Sequence, residues 1–104
     1  MKKLHDFQQN AIRLTAERLA HILEHPEMVG MEDAIEATLL APQYVIQSRS
    51  DEQARLYYRH HEKTRVGDKY VCVVVKFIEN DAFVLTAYLT DTVKKGEQRW
   101  PATS

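Results

Sequence analysis

The sequence is poor in the residues that cross-link or interrupt small domains. Cys72 is the single cysteine, which excludes an internal disulfide, and it lies in the apolar run YVCVVVKF, where a free thiol packs like a small hydrophobic side chain. Three glycines and three prolines are spread over 104 residues, and no repeat or low-complexity linker divides the chain. We therefore predict a single domain over 1–104, with its core at about 7–100, long enough to be stable without cross-links.

Long hydrophobic runs are also missing. No apolar stretch reaches the length that spans a bilayer, and the basic opening MKKLHDFQQN is not followed by the apolar region of a secretory signal. These absences predict a cytoplasmic protein with no membrane partner. The glycine-rich phosphate-binding motifs and the serine nucleophile elbow are absent too, so neither nucleotide-dependent nor serine-hydrolase chemistry is expected.

The net charge is close to zero but unevenly distributed. Residues 1–52 carry five basic and nine acidic side chains, a net −4, whereas residues 53–104 carry nine basic and six acidic side chains, a net +3. The more basic half is the half in which we predict a β-sheet, and positive charge on a sheet favours an anionic ligand. The excess by itself is too small to identify a nucleic-acid-binding protein.

Two helices are predicted in the first half of the chain. Apolar residues recur at helical spacing between residues 7 and 25, with Asp6 as the cap and Pro26 as the stop. A second helix is predicted from about Glu32 to Leu40, where the pair Ala41-Pro42 ends it.

The hydrophobic period changes to two in the second half of the chain. Strands are predicted at 44–49, 54–61, 70–78 and 83–90, and the third is apolar on both faces, as is typical of a central strand. The fold class that follows is α+β, with two N-terminal helices packed on one face of a four-stranded antiparallel sheet. The other face of this sheet is left to polar side chains.

Polar residues alternate along two of the predicted strands. On the last strand the apolar set faces the helices and consists of Phe83, Leu85, Ala87 and Leu89. The residues expected on the opposite face are Thr86, Tyr88 and Thr90, together with Arg55, Tyr57 and Arg59 if the second strand shares that face, and Lys76 if the register of the third strand allows it. Guanidinium, ammonium and hydroxyl groups suit a phosphate, and tyrosine rings can stack on bases. The plain alternative is an ordinary solvated strand face.

The first predicted helix carries two histidines four residues apart. His21 and His25 lie on one side of it, with Glu17 one turn earlier, a spacing that can hold a metal ion. The same histidines can act in acid–base catalysis, because imidazole titrates near neutral pH, or His25 can be a structural residue at the helix end.

The order of several motifs resembles a known nuclease family. RLAHILEHPEM is followed by IEATLLAPQYVIQS, LYYR, KYVCVVVKF and VLTAYLTDTVKKGEQRW, over roughly residues 13 to 100. In order and spacing these segments resemble the phage-associated branch of the barnase–EndoU–colicin–RelE-like nuclease superfamily. The resemblance implies a barnase/RelE-like fold and a metal-independent endoribonuclease in which a ribose 2′-hydroxyl attacks the adjacent phosphate, with no metal and no cofactor. It also implies a toxin-like protein that pairs with an antitoxin or is attached to a larger phage protein.

The resemblance and the strand faces together assign candidate roles. His21 looks like the helix histidine of the family, a base or an acid, and Arg59 and Lys76 are candidate phosphate contacts. The catalytic set is His21, Arg59, Lys76, Thr86 and Thr90, and the substrate-binding set is Arg55, Tyr57, Tyr88 and Lys95. His21 reaches the polar strand face only if the first helix packs at the edge of the sheet.

Two alternatives to a nuclease stay open on the residues alone. The same face can serve a non-catalytic module that binds a protein or a nucleic acid, and the set of Glu17, His21 and His25 can bind a metal. The expected partners are RNA and an antitoxin protein, and the oligomeric state is left open.

Overall fold

A computed structural model describes residues 2–101 and contains ten elements. The first half holds strands β1 (Lys2–His5) and β2 (Ala11–Leu14), helix α1 (Ala16–Leu23), a single 3₁₀ turn (Pro26–Met28) and helix α2 (Glu32–Leu40). The second half holds strands β3 (Tyr44–Gln47), β4 (Ala54–Thr64), β5 (Gly67–Ile78), β6 (Asp81–Thr90) and β7 (Glu97–Trp100).

All seven strands join one mixed sheet. Their order across the sheet is β1-β2-β6-β5-β4-β3-β7. β2 and β6 run parallel, and every other neighbouring pair is antiparallel. The predicted meander β3–β6 therefore forms the centre of the sheet, and β1, β2 and β7 extend it on both sides.

The predicted fold class was wrong. The protein is mostly sheet, with seven strands of mixed direction and two helices, whereas two helices on a four-stranded antiparallel sheet were expected. The difference comes from three strands of four residues each, which are too short to show a clear alternation. They are strands because they find partners in the sheet, and pairing of this kind is a tertiary effect that local spacing does not reveal.

The long first helix predicted at 7–25 is instead a strand followed by a short helix. Ile12 and Leu14 are two residues apart on β2, and both are buried in the main core. Helix α1 begins only at Ala16, because the Thr15 hydroxyl accepts a hydrogen bond from the Arg18 N–H at 3.1 Å and caps the helix there. The second helix, Glu32–Leu40, lies where it was predicted.

The two helices cover one face of the sheet, which we call the closed face. α1 packs against β6, and α2 packs against β5 and β4. The main core lies between these helices and the sheet. Its central members include Ile22, Ile35, Leu39, Tyr57, Val71, Val73, Val75, Val84 and Ala87.

A β-bulge in β6 changes which side chains face the helices. The pairing of β5 with β6 shifts between Val74 and Val75, and Leu85 is the extra residue. Val84 is therefore buried in the main core, and Phe83 pairs with Lys76 on the opposite face. The prediction that Phe83 faces the helices was wrong, because the bulge reverses the alternation along the first half of the strand.

The other side of the sheet, the open face, is partly covered by residues 91–96. A second apolar cluster lies on this face and consists of Ile46, Leu56, Tyr58 and Cys72, with Val93 packed against it. Since β7 pairs with β3 at the far edge, the 91–96 segment crosses β5, β4 and β3 on its way from β6. We call it the crossing segment.

Gly96 lets the crossing segment lie close to β3. A Cβ atom at this position would stand 2.6 Å from the Gln47 carbonyl oxygen and 2.7 Å from the Ile46 side chain. Only a residue without a side chain fits this approach.

Neither α1 nor α2, nor any other helix between Lys2 and Pro101, has the length and apolar character needed to span a lipid bilayer.

Candidate functional site

A basic cleft opens on the open face beside the crossing segment. It has a volume of about 340 Å³, and its lining residues are Ile46, Gln47, Ser48, Arg49, Ser50, Leu56, Lys94 and Lys95. Ile46 and Leu56, neighbours on β3 and β4, give it an apolar floor. The loop after β3 forms one wall, and the crossing segment forms the other.

The loop wall is held in place by its own hydrogen bonds. The Gln47 side-chain amide donates to the Glu52 carbonyl at 2.9 Å and to the Ala54 carbonyl at 3.0 Å. The Ser48 hydroxyl accepts from the Ser50 and Asp51 N–H groups at 3.3 and 3.2 Å. These contacts fix the backbone that presents Arg49, so the wall is preorganised for a ligand.

Three cationic side chains line the cleft without an acidic partner. Arg49, Lys94 and Lys95 are exposed, and no ion pair among residues 2–101 involves any of them. No carboxylate lines the cleft either. An apolar floor beneath unpaired positive charge attracts an anionic group attached to an apolar body.

The crossing segment positions its two lysines. The Lys94 N–H donates to the Tyr58 hydroxyl at 3.1 Å, which ties the segment to β4. The Lys94 ammonium lies 5.9 Å from the centre of the Tyr88 ring on β6, within the range of a cation–π contact. Val93 packs into the apolar cluster beneath, so the segment has an apolar and a polar anchor.

Lys76 and Thr86 lie beside the cleft on the next two strands. Thr86, Val74 and Leu56 are successive partners across β6, β5 and β4, so Thr86 extends the row that forms the cleft floor. Lys76 lies two residues beyond Val74 on β5, and its ammonium contacts the Asp51 carboxylate at 3.0 Å. The pKa of Asp51 is lowered, first by the hydrogen bond from the Gln53 N–H and then by the contact with Lys76.

The structure therefore brings part of the predicted set together. Lys95 lines the basic cleft, and Lys76 and Thr86 lie on the same face of the sheet, on β5 and β6. Tyr88 and Thr90 are on the same face of β6, and the crossing segment that begins after Thr90 packs over the sheet next to Tyr88.

The tyrosines under the crossing segment are buried against Cys72. The Tyr88 hydroxyl is buried and makes no hydrogen bond within residues 2–101. Burial raises the pKa of Tyr88 and of Tyr58 above the ordinary tyrosine value, and it raises the pKa of the Cys72 thiol to about 11. These groups are protonated at neutral pH, and Cys72 is placed for packing and not for nucleophilic attack.

The other strand residues predicted for the site lie on the closed face. Arg55, Tyr57 and Arg59 pair with Val75, Val73 and Val71, whose side chains are in the main core. The expectation that these three share a face with Thr86 is therefore not met in the structure. The neighbouring Tyr58 has the opposite orientation and faces the open side.

Each of these three side chains has a local partner. The Arg59 guanidinium donates to the Ala41 carbonyl at 2.7 Å, beyond the C-terminal end of α2, where positive charge is favoured. The Tyr57 hydroxyl donates to the buried Asp6 carboxylate at 2.6 Å, and burial raises the pKa of Tyr57. The Arg55 guanidinium lies 4.7 Å from the centre of the Phe77 ring.

His21 is on α1, on the far side of the sheet from the cleft. Its ring is exposed, and the Nδ1 atom lies 3.5 Å from the Glu24 carboxylate. His25 follows α1, and its ring contacts Glu27 at 3.9 Å. Within residues 2–101 no group of three or more metal-binding side chains is formed, so Glu17, His21 and His25 do not come together as a metal site there.

Five polar lining residues were missed by reasoning from the sequence: Gln47, Ser48, Arg49, Ser50 and Lys94. A signal was present for each. Gln47, Ser48 and Arg49 end the strand predicted at 44–49 and Ser50 follows it directly, and loops at strand ends often carry binding residues. Lys94 is the chain neighbour of Lys95, but its placement depends on how the crossing segment folds back over the sheet.

Comparison of the chain with protein-family models, with curated proteins and with solved structures found no match.

Proposed function

We propose that this chain is a metal-independent endoribonuclease that holds the phosphate of its RNA substrate in the basic cleft. The observation that carries the proposal is the convergence of Arg49, Lys94 and Lys95, none of them ion-paired within residues 2–101, on an apolar floor. A nucleotide is an anionic group attached to a largely apolar base, and this arrangement suits it. The resemblance in motif order to the barnase–EndoU–colicin–RelE-like superfamily supports cleavage in addition to binding.

The cleft offers charge stabilisation for the reaction. When the 2′-hydroxyl oxygen attacks, a bond to phosphorus forms, the bond to the 5′-oxygen breaks, and negative charge builds on the phosphate. Cationic groups fixed before the reaction stabilise that charge, which is commonly the largest contribution to catalysis. In this proposal Lys76 supplies the proton to the leaving 5′-oxygen, the 2′-hydroxyl proton goes to water, and the Thr86 hydroxyl donates to a phosphate oxygen.

A non-catalytic RNA-binding module is the second candidate function. It is favoured by the composition of the cleft, where the lining residues include no histidine and no carboxylate that can act as a general base. His21 and Arg59, two of the five predicted catalytic residues, lie on the closed side of the sheet. On this view the cleft binds the strand and leaves it intact.

The first test compares two double variants in binding to a labelled single-stranded RNA. Arg49→Ala/Lys95→Ala removes two cations from the cleft, and Lys63→Ala/Arg65→Ala removes two exposed cations near the β4–β5 turn. We expect the cleft variant to bind at least about tenfold more weakly, and the slope of log affinity against log salt to fall by about 1.4, at about 0.7 per lost phosphate contact. The turn variant should match the wild type. Equal loss in both variants would contradict a cleft-centred site.

Cleavage is measured on the same RNA in the presence of a chelator. Products ending in a 2′,3′-cyclic phosphate from the wild type, and none from Lys76→Ala at saturating protein, would support the nuclease. Binding without any product would leave the non-catalytic module. A wild type that neither binds nor cleaves RNA would contradict both candidate functions.

We further propose that the activity is toxin-like and acts on RNA in the cytoplasm, with an antitoxin protein as inhibitor. Induction of the wild-type chain in bacteria should then arrest growth and degrade RNA, and Arg49→Ala/Lys95→Ala should not. Normal growth with intact RNA in both cultures would contradict the toxin.

A further inference from the structure

We infer that Phe83 and Arg13 form a stacking platform for a second nucleotide of a single-stranded RNA, at the opposite end of the open face from Arg49. This inference rests on the proposed function, because it extends the path of the same strand. The platform lies on β6 and β2, and neither residue is among the catalytic or substrate-binding residues predicted from the sequence.

The platform is built by the sheet register. Phe83 pairs with Lys76 across β5 and β6, and Arg13 pairs with Phe83 across β2 and β6. Phe83 is half-buried on the open face because the bulge at Leu85 turns it away from the helices. An aromatic ring on an otherwise polar part of a sheet, beside a lysine, is a common surface for stacking a base.

Arg13 is held against the ring. Its guanidinium carbon lies 5.7 Å from the centre of the Phe83 ring, and its two nitrogens donate to the Asp81 carboxylate at 3.0 and 2.5 Å. This bidentate contact lowers the pKa of Asp81 and fixes the plane of the guanidinium. A planar guanidinium stacks on bases much as an aromatic ring does, so a base can add to the stack that the Phe83 ring and the Arg13 guanidinium form.

A basic path connects this platform with the cleft. Three strand spacings separate β3, which leads into Arg49, from β6, a distance of about 14 Å, and β2 adds about 5 Å. Lys76 lies between the two sites, and its ammonium contacts the carboxylate of Asp51, in the loop after β3. The distance between the cleft and Phe83 exceeds the length of one nucleotide. A phosphate in the cleft and a base on Phe83 therefore belong to different nucleotides of an RNA molecule that runs across the β-strands.

The platform predicts that the protein prefers single-stranded RNA. A base can stack on Phe83 only when it is splayed out of its own helix, so the site favours single-stranded over double-stranded RNA. Stacking involves no phosphate. Loss of the ring should therefore weaken binding without changing its salt dependence.

The test uses Phe83→Leu and the matched control Phe77→Leu. Phe77 is on the adjacent strand and also lies under an arginine, at 4.7 Å, but on the closed face. We expect Phe83→Leu to weaken binding of a single-stranded hexanucleotide about fivefold to tenfold, with an unchanged salt slope. Phe77→Leu should bind as the wild type does, and a duplex of the same sequence should bind all three proteins equally weakly.

A second measurement keeps the inference testable if Phe83→Leu folds poorly. The fluorescence of 2-aminopurine placed in the hexanucleotide should be quenched on binding to the wild type, and quenched less on binding to Arg13→Gln. Equal affinity of Phe83→Leu and Phe77→Leu, or equal quenching by Arg13→Gln and the wild type, overturns the platform and leaves the cleft proposal standing. A wild type that binds no RNA overturns both.

Discussion

Tyr57 and Tyr58 are adjacent in the chain but belong to opposite sides of the sheet. The Tyr57 hydroxyl donates to Asp6 on the closed face, whereas the Tyr58 hydroxyl accepts from the Lys94 N–H on the open face. Both residues are almost completely buried. One tyrosine thus ties β4 to the loop after β1, and the other ties β4 to the crossing segment.

We expect Tyr57→Phe to lower the free energy of unfolding by about 1–2 kcal/mol, because a buried carboxylate loses a hydrogen-bond donor. The Asn10 side-chain amide still donates to the same Asp6 oxygen at 3.0 Å, which limits the loss. Urea unfolding followed by circular dichroism measures the change. Tyr44→Phe is the control, since the Tyr44 hydroxyl makes no hydrogen bond in the part of the chain that is described. Equal stability of Tyr57→Phe and the wild type would show that the contact with Asp6 contributes nothing.

The pair of tyrosines also shows how far the sequence predicts the site. Alternation correctly separates Tyr57 from Tyr58 and Thr86 from Ala87, but it does not say which set on one strand faces which set on the next. Lys76 and Thr86 are on the expected face, and Arg55 and Arg59 are not. Burial decides which side chains of β4 face the helices. The segment LYYR has apolar side-chain area on both faces of the strand, so the sequence does not indicate which face is the polar one.

The three long strands and the short β3 were predicted from the sequence, and the other three short strands were not. β4, β5 and β6 have ten to twelve residues each and carry their own alternation or apolar run, so the sequence indicates them directly. β1, β2 and β7 have four residues each, and β7 is mostly polar. Such short segments become strands only through their neighbours, which a local pattern does not encode.

The crossing segment depends on one glycine. We expect Gly96→Ala to lower the free energy of unfolding by about 1–3 kcal/mol, because the added methyl group meets a backbone oxygen of β3 that cannot move without disturbing the sheet. The same shift should displace Lys95 and weaken RNA binding at the cleft. Thermal and urea unfolding, followed by the binding assay, measure the two effects.

Thr92→Ala is the control for this glycine, since Thr92 is exposed on the same segment. Its stability and RNA affinity should remain close to those of the wild type. A Gly96→Ala protein as stable as Thr92→Ala would mean that the crossing segment does not lie as close to β3 as the 2.6 Å approach requires.

The molecule as a whole buries several groups that ionise at high pH. Tyr57 lies in the closed-face core, and Tyr58, Cys72 and Tyr88 lie beneath the crossing segment. In each case burial is the largest cause of a raised pKa. The folded chain therefore keeps these protons at pH values where the unfolded chain releases them, and both faces of the sheet respond to alkaline pH together.

Stability should accordingly fall as the pH rises above about 9. The pKa of Cys72 is raised to about 11 in the folded chain. The stabilisation that the buried, protonated thiol provides is therefore complete at pH values below the thiol pKa of the unfolded chain, and it is lost between pH 9 and 11. The buried tyrosines add to this loss of stability above pH 10. Each proton difference contributes a slope of about 1.4 kcal/mol per pH unit. Urea unfolding between pH 7 and 10.5, with a reductant present, should show a flat region and then this decline. Cys72→Val should lose less stability than the wild type between pH 9 and 10. If the free energy of unfolding falls in parallel with pH in the two proteins, the thiol is not buried in the folded chain.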